Sequence, residues 1–142
     1  MFKEIKTEII INASPEKVWE VLTDFETYES WNPFVSKLVG EVKVGNTIEV
    51  SLPGMKFKPE VLAFVKNKEF RWLGHLLVKG LFDGEHCFEI LDNNNGSVTF
   101  VHSEKFNGCL VFLFKNMLDT KTKSGFISMN KKLKERCEQM NS

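Results

Sequence analysis

The sequence predicts an α+β fold: a curved seven-stranded antiparallel sheet around a long C-terminal helix, with two short helices after the first strand. Three observations carry this reading. Seven stretches between Glu4 and Phe106 show the apolar–polar alternation of a strand with one buried face. The links between the last six are too short for crossovers, so neighbours run antiparallel. After Asn107-Gly108 the apolar residues recur at three- and four-residue steps, which is helical spacing. A sheet with one apolar face needs a cover, and the terminal helix is the only element large enough to supply it. A curved sheet around a single helix leaves a space between them, and the short helices close one end of it.

Each element has its own signal. Ile5, Thr7, Ile9 and Ile11 share the inner face of the first strand. Ser14-Pro15-Glu16 then reads as a helix N-cap, a first helical position and an acid matched to the helix dipole. Val18, Val21, Leu22 and Phe25 form the apolar stripe. Asp24 is a candidate cap for a second short helix carrying Tyr28 and Trp31. Asn32-Pro33 ends it, because the residue before proline avoids helical geometry. Strands are expected over 35–40 and 47–52, with Gly45-Asn46 turning between them. Pro53-Gly54 turns the chain into a long strand over 55–66. Pro59 has no N–H for a ladder, so an edge or a bulge is expected there.

Phe70, Trp72, Gly74 and Leu76 share a face of the next strand, 69–77. The last two strands flank the turn Asp92-Asn93-Asn94-Asn95-Gly96. Phe114, Leu118, Gly125, Met129, Leu133, Cys137 and Met140 mark the buried stripe of the long helix. The stretch 110–114 is apolar all round. Burial at the mouth of a pocket is the preferred reading for it, ahead of a dimer or membrane contact.

A chain of 142 residues is long enough for a real core and is expected to form one domain over 1–142. Nineteen basic and nineteen acidic residues leave no net charge, which argues against a nucleic-acid binder. Thirteen Phe against one Tyr favour an aromatic-lined interior over a polar recognition surface. Cys87, Cys109 and Cys137 are odd in number and far apart, so neither disulfides nor a zinc knuckle is expected. The N-terminus lacks the apolar core of a signal peptide and no run is long enough to span a membrane, so a cytoplasmic location is expected.

The informative oddity lies in the last two strands. One face of the first carries Phe82, Gly84, His86, Phe88 and Ile90; one face of the second carries Val98, Phe100, His102, Glu104 and Phe106. Two imidazoles and a carboxylate therefore sit on otherwise apolar faces. A turn pairing Ile90 with Val98 would place His86 opposite His102, Phe88 opposite Phe100, and Glu104 diagonal to His86. The outer face carries Asp83 and Glu85, expected to be solvated.

Four segments resemble the Bet v 1/START-like superfamily, nearest to its bacterial polyketide cyclase/dehydrase and lipid-transport-like branch. They are Ser14-Pro15-Glu16-Lys17-Val18-Trp19 running to Tyr28-Glu29-Ser30-Trp31-Asn32-Pro33-Phe34; Leu81-Phe82-Asp83-Gly84-Glu85-His86-Cys87-Phe88; His102-Ser103-Glu104-Lys105-Phe106-Asn107-Gly108; and Gly125-Phe126-Ile127-Ser128-Met129-Asn130-Lys131-Lys132-Leu133-Lys134. The resemblance implies the helix-grip fold and an apolar cavity between sheet and long helix. It implies no particular reaction, because the superfamily includes cyclases, hydrolases, carriers and chaperone regulators.

Four readings of the polar cluster compete: a buried hydrogen-bonded network, oriented contacts in a ligand pocket, acid–base catalysis, and a metal site. The main expectation is an internal cavity for a small hydrophobic ligand, aromatic, polyketide-like or acyl. Its site would comprise Trp31, Phe34, Trp72, His86, Phe88, Phe100, His102, Glu104, Phe106 and Met129. The alternatives are a cyclase/dehydrase- or hydrolase-type enzyme using Glu104 and His86, with His102, as acid and base, and a chaperone-regulator-like interaction module. No cofactor, metal, nucleic acid or stable membrane insertion is expected, and the chain should be a monomer or weak dimer. The basic run Lys131, Lys132, Lys134 and Arg136 is interrupted by Glu135 and Glu138, so it reads as a solvated face with helical ion pairs.

Overall fold

Eight strands and a helical C-terminal run make up the computed structural model, which describes residues 2–75 and 80–139. β1 (Phe2–Ile11) leads into α1 (Pro15–Leu22), and a 3-10 turn over Phe25–Thr27 leads into α2 (Tyr28–Trp31). Then come β2 (Lys37–Val39), β3 (Glu49–Leu52), β4 (Met55–Phe57), β5 (Glu60–Val65) and β6 (Glu69–His75). β7 (Asp83–Asp92) and β8 (Val98–Asn107) follow. The last run is a 3-10 turn over Val111–Phe114, α3 (Lys115–Met117), a π turn over Leu118–Thr122 and α4 (Lys123–Gln139).

Local chemistry sets the helix ends. The Ser14 hydroxyl accepts from the Lys17 N–H at 3.1 Å, and Pro15 occupies the first helical turn. Asp24 does not cap the second helix with its side chain; its carbonyl accepts from the Thr27 hydroxyl instead. Asn32 is extended ahead of Pro33, and its side-chain oxygen accepts from the N–H groups of Phe34 and Val35 at 3.0 and 2.9 Å. That double acceptor fixes the path of Phe34 into the interior.

The strands form two sheets rather than one of seven. Five are ordered β1-β8-β7-β6-β5 and three are ordered β2-β3-β4, all neighbours antiparallel. The expected long strand over 55–66 breaks at Lys58-Pro59 into β4 and β5, because proline gives the ladder no donor. β5 is an edge strand with an irregularity between Val61 and Ala63. The two sheets meet through a Thr47–Glu60 bridge and an Ile48 N–H to Pro59 carbonyl bond of 3.0 Å.

The β7–β8 hairpin is paired two residues away from the expected register. Asp92 faces Val98, so Ile90 lies opposite Phe100, Phe88 opposite His102 and His86 opposite Glu104. A tighter turn explains the shift. The Asn93 N–H donates to the Ser97 carbonyl at 3.1 Å, and Asn94 and Gly96 both take positive φ. A two-residue slip keeps every side chain on its face but exchanges its partners.

α4 packs against β1, α1 and β8 with Phe126, Met129, Asn130, Leu133 and Cys137 buried. Its C-terminal half is tied to the β1–α1 corner. Lys134 Nζ donates to the Ile10 carbonyl at 2.8 Å, and Glu138 accepts from the Asn12 N–H at 2.8 Å. The helical run is not a single α-helix, because the π turn interrupts it. Leu76 and Leu77 of the strand expected over 69–77, and Met140 of the helical stripe, lie outside the described residues.

Candidate functional site

Three cross-strand rows on the inner face of the five-stranded sheet build the site. The first is Phe70–Phe88–His102–Thr7 and the second is Trp72–His86–Glu104–Ile5. The third is Gly74–Gly84–Phe106–Lys3. Large rings and polar groups fill the first two rows. In the third, the Phe57 ring covers Gly74 and the Glu104 carboxyl covers Gly84.

A cavity of about 310 Å³ opens beside Phe106 of the third row, at the lower end of the range of ligand pockets. Its floor is Phe82, His86, Glu104 and Phe106; Leu52, Pro53, Met55 and Phe57 of the β3–β4 hairpin form one wall. Met117, Leu118, Lys121 and Thr122 form the other, with Phe34 and Gly125 behind. Two glycines let lining side chains settle against the backbone. A methyl on Gly84 would collide with Oε2 of Glu104, and one on Gly125 would lie 2.7 Å from the Phe34 ring. A wider hollow of about 590 Å³ lies over Glu16, Lys68 and Asp92, but none of its titratable residues is buried.

A single hydrogen-bonded chain runs from the cavity floor into the core. Glu104 Oε1 is 2.9 Å from His86 Nδ1, and His86 Nε2 is 2.7 Å from His102 Nε2. His102 Nδ1 is 2.9 Å from Asn130 Oδ1, Asn130 Nδ2 donates to Thr7 Oγ1 at 2.9 Å, and Thr7 Oγ1 donates to the His102 carbonyl at 2.9 Å. Matching donors to acceptors assigns the protons. Asn130 Oδ1 only accepts, so His102 carries its proton on Nδ1. His102 Nε2 must then accept from His86 Nε2–H, which leaves His86 Nδ1 to accept from a protonated Glu104.

Burial explains why all three groups are neutral. It raises the Glu104 carboxyl to about 8 and lowers His86 to about 3. His102 is lowered by burial first and by His86 second, with its bond to Asn130 opposing. The Glu104–His86 contact is therefore a neutral hydrogen bond and not an ion pair. Flat aromatic contacts hold the rings: Trp72 stacks on His86 at 4.8 Å and Phe126 on His102 at 4.1 Å.

A second polarity with the same number of protons is chemically open, at the cost of one bond. If the Asn130 amide exchanges ends, both imidazoles change tautomer, the Glu104 proton moves to Oε2, and the Thr7 hydroxyl must turn from the His102 carbonyl to Asn130 Oδ1. In one sense Glu104 offers the cavity an acceptor; in the other it offers a donor. Every ring nitrogen of His86 and His102 is used within the chain, so neither imidazole has a lone pair free for a metal. Among the described residues no group of His, Cys, Asp and Glu is placed to hold a metal ion.

Four of the ten expected site residues line the cavity: Phe34, His86, Glu104 and Phe106. Trp72, Phe88, Phe100, His102 and Met129 are buried in the core and do not line this cavity. His102 reaches the floor only through His86. Trp31 points elsewhere, edge-on to Tyr28 with its Nε1 donating to Thr27 Oγ1. The register shift moved Glu104, in place of His102, directly opposite His86. Asp83 is not simply solvated: it lies 2.7 Å from His75 and accepts from the Gly80 N–H.

Thr7 and Asn130 close the polar chain and were not singled out in the sequence. The signal was present, since each is a polar residue on an apolar stripe. The β3–β4 wall was also missed, although Leu52, Met55 and Phe57 flank a Pro53-Gly54 turn. The expected burial of 110–114 fails at Phe112 and Leu113, which are exposed.

A sheet that grips one long helix over an apolar cavity with a single buried acid defines a class of cavity-bearing α+β proteins. Residues 3–138 match the family described as polyketide cyclase / dehydrase and lipid transport, and the chain belongs to it. Among solved structures it is similar to the Zhui aromatase/cyclase from Streptomyces sp. R1128, at 12% identity and TM-score 0.80, covering 100% of this chain and 97% of that one. It is similar to norcoclaurine synthase from Thalictrum flavum in complex with dopamine and hydroxybenzaldehyde, at 13% identity and TM-score 0.75, covering 100% and 90%. A hypothetical protein from Helicobacter pylori matches at 17% identity and TM-score 0.80, covering 95% and 88%. At these identities the likeness shows the Bet v 1-like helix-grip fold. No curated protein matches the chain by sequence.

Proposed function

We propose that the chain binds a small, mostly apolar molecule bearing one carbonyl or hydroxyl group, oriented on Glu104. The observation that carries this reading is a buried carboxyl, hydrogen-bonded to His86, on the floor of a mostly apolar cavity edged by Lys121 and Thr122. Apolar walls supply affinity by burial, roughly 25 cal/mol per Å² of apolar area, and one polar contact sets direction. A ligand carbonyl selects the polarity in which Glu104 donates; a hydroxyl proton selects the one in which it accepts. A cavity of this size favours a ligand over a pure protein-interaction role. Cys109 is an exposed free thiol, which fits a reducing, cytoplasmic setting.

Native mass spectrometry of the purified protein tests the proposal. A co-purifying small molecule lost on Thr122→Trp, which adds bulk at the cavity wall, supports it. Thermal-shift screening with hydrophobic carbonyl compounds provides the second arm, because a ligand that binds only the folded state raises its stability. No bound species and no stabilising compound would refute it.

A second reading is favoured by the same acid. Glu104 holds a proton near neutral pH, and His86 backs it, which suits proton transfer to a bound carbonyl or enol. The family description includes cyclases and dehydrases, so this enzyme reading stands beside simple binding. Glu104→Gln separates them: it abolishes turnover while leaving affinity largely intact only if the acid does chemistry.

A further inference from the structure

The turn after β8 presents two large apolar side chains to solvent. Phe112 is 66% exposed and Leu113 68%. The turn itself is anchored. Val111 is buried, Phe114 sits edge-on to Phe82 at 5.1 Å, and the Leu110 N–H donates to the Leu81 carbonyl at 3.0 Å. Phe112 and Leu113 are therefore held outward by a fixed backbone. Met117, 44% exposed, carries the apolar surface on to the cavity mouth, which it lines.

Charge frames this tip. Lys115, Lys121 and Lys123 are exposed, and no salt bridge is formed by any of them among the described residues. Asp119 is the only acid between 108 and 125; Lys3 engages it at 2.6 Å, and Lys115 and Lys123 act on it at longer range, so one acid faces three lysines of this segment. A chain with no net charge thus concentrates positive charge around its most exposed apolar side chains. Two copies joined patch to patch would set these lysines against each other, which disfavours a symmetric self-interface. A surface of anionic lipid matches both features: rings and aliphatic chains enter the acyl boundary and ammonium groups reach the phosphates.

We propose that the turn over residues 108–123 docks the protein on an anionic membrane surface, holding the cavity mouth against the lipid. The docking rests on this surface alone and does not require that the cavity hold a lipid.

Co-sedimentation of the full chain with phosphatidylcholine vesicles, with and without phosphatidylglycerol, tests it. The expected result is binding that needs phosphatidylglycerol and weakens with salt. Phe112→Ser and Leu113→Ser should each reduce it about tenfold, and Lys115→Glu or Lys123→Glu about fivefold or more. Both apolar positions are exposed, so circular dichroism of these variants should match the parent. No binding to phosphatidylglycerol vesicles, or binding untouched by the double serine variant, overturns the proposal. So does a dimer, seen by light scattering, that the double serine variant dissolves. Vesicle binding without any small-molecule binding would keep this inference and remove the proposed function; the reverse would remove this inference alone.

Discussion

The same two strands, β7 and β8, run through a solid half of the molecule and a hollow half. Towards the hairpin, every inward position carries a large group, with Phe88, Ile90, Phe100 and His102 buried under α1 and α4. Towards the other end, the inward row is Gly74–Gly84–Phe106, and the facing helix contributes Gly125. The cover changes too, from regular α-helix to the π turn over Leu118–Thr122. At that end the glycines are covered by Phe57, Glu104 and Phe34, whose side chains settle over them and line the cavity. The polar chain joins the halves: Glu104 stands at the cavity floor and Asn130 and Thr7 lie deep in the packed half.

This contrast can be broken at several points. Phe88→Ala in the solid half should cost roughly 3–5 kcal/mol in urea unfolding, because rigid neighbours cannot close the void. Asn130→Leu keeps the bulk but removes the acceptor of His102 Nδ1–H and the donor to Thr7 Oγ1, whose own bond to the His102 carbonyl survives, at roughly 2–3 kcal/mol. It should also change the imidazole tautomers seen by nitrogen-15 NMR.

The pH dependence comes next, and its sign follows from the three neutral groups. Below the ordinary histidine value of 6.5, the unfolded chain takes up protons that folded His86 and His102 refuse, so stability falls as pH drops. Between 6.5 and about 8, the unfolded chain has shed the Glu104 proton that the folded chain keeps, so stability falls as pH rises. These groups place their combined maximum near pH 6.5. Glu104→Gln should remove the alkaline limb, about 2 kcal/mol over that window. The smallest stability effect is expected at the hollow end: Met55→Ala, on a half-buried wall, should cost less than about 1 kcal/mol. It should nevertheless weaken binding of any cavity probe, measured by calorimetry.

The architecture was legible because its signals are local. Two-residue alternation, the Ser14-Pro15 cap and the helical spacing after Gly108 each act within a few residues. The acid and two imidazoles were legible as a cluster for the same reason, as polar breaks in an apolar period. Register was not, because a two-residue slip leaves each strand's faces unchanged while swapping Glu104 for His102 opposite His86. The hairpin's own hydrogen bonds decided it. The split at Pro59 was visible as a fault in the pattern, but its consequence, a second sheet forming one cavity wall, depends on contacts distant in sequence. Thr7 and Asn130 meet across 123 positions, and no local pattern announces such a pair.

The central claim is that the cavity floor presents an acid kept neutral by burial. Carbon-13 NMR of the Glu104 side-chain carboxyl, titrated across pH, tests it most directly. The account requires a midpoint near 8, displaced when a cavity ligand binds. A midpoint close to the ordinary 4.5 would mean that water reaches the group freely, and the ligand-orienting role built on it would fall.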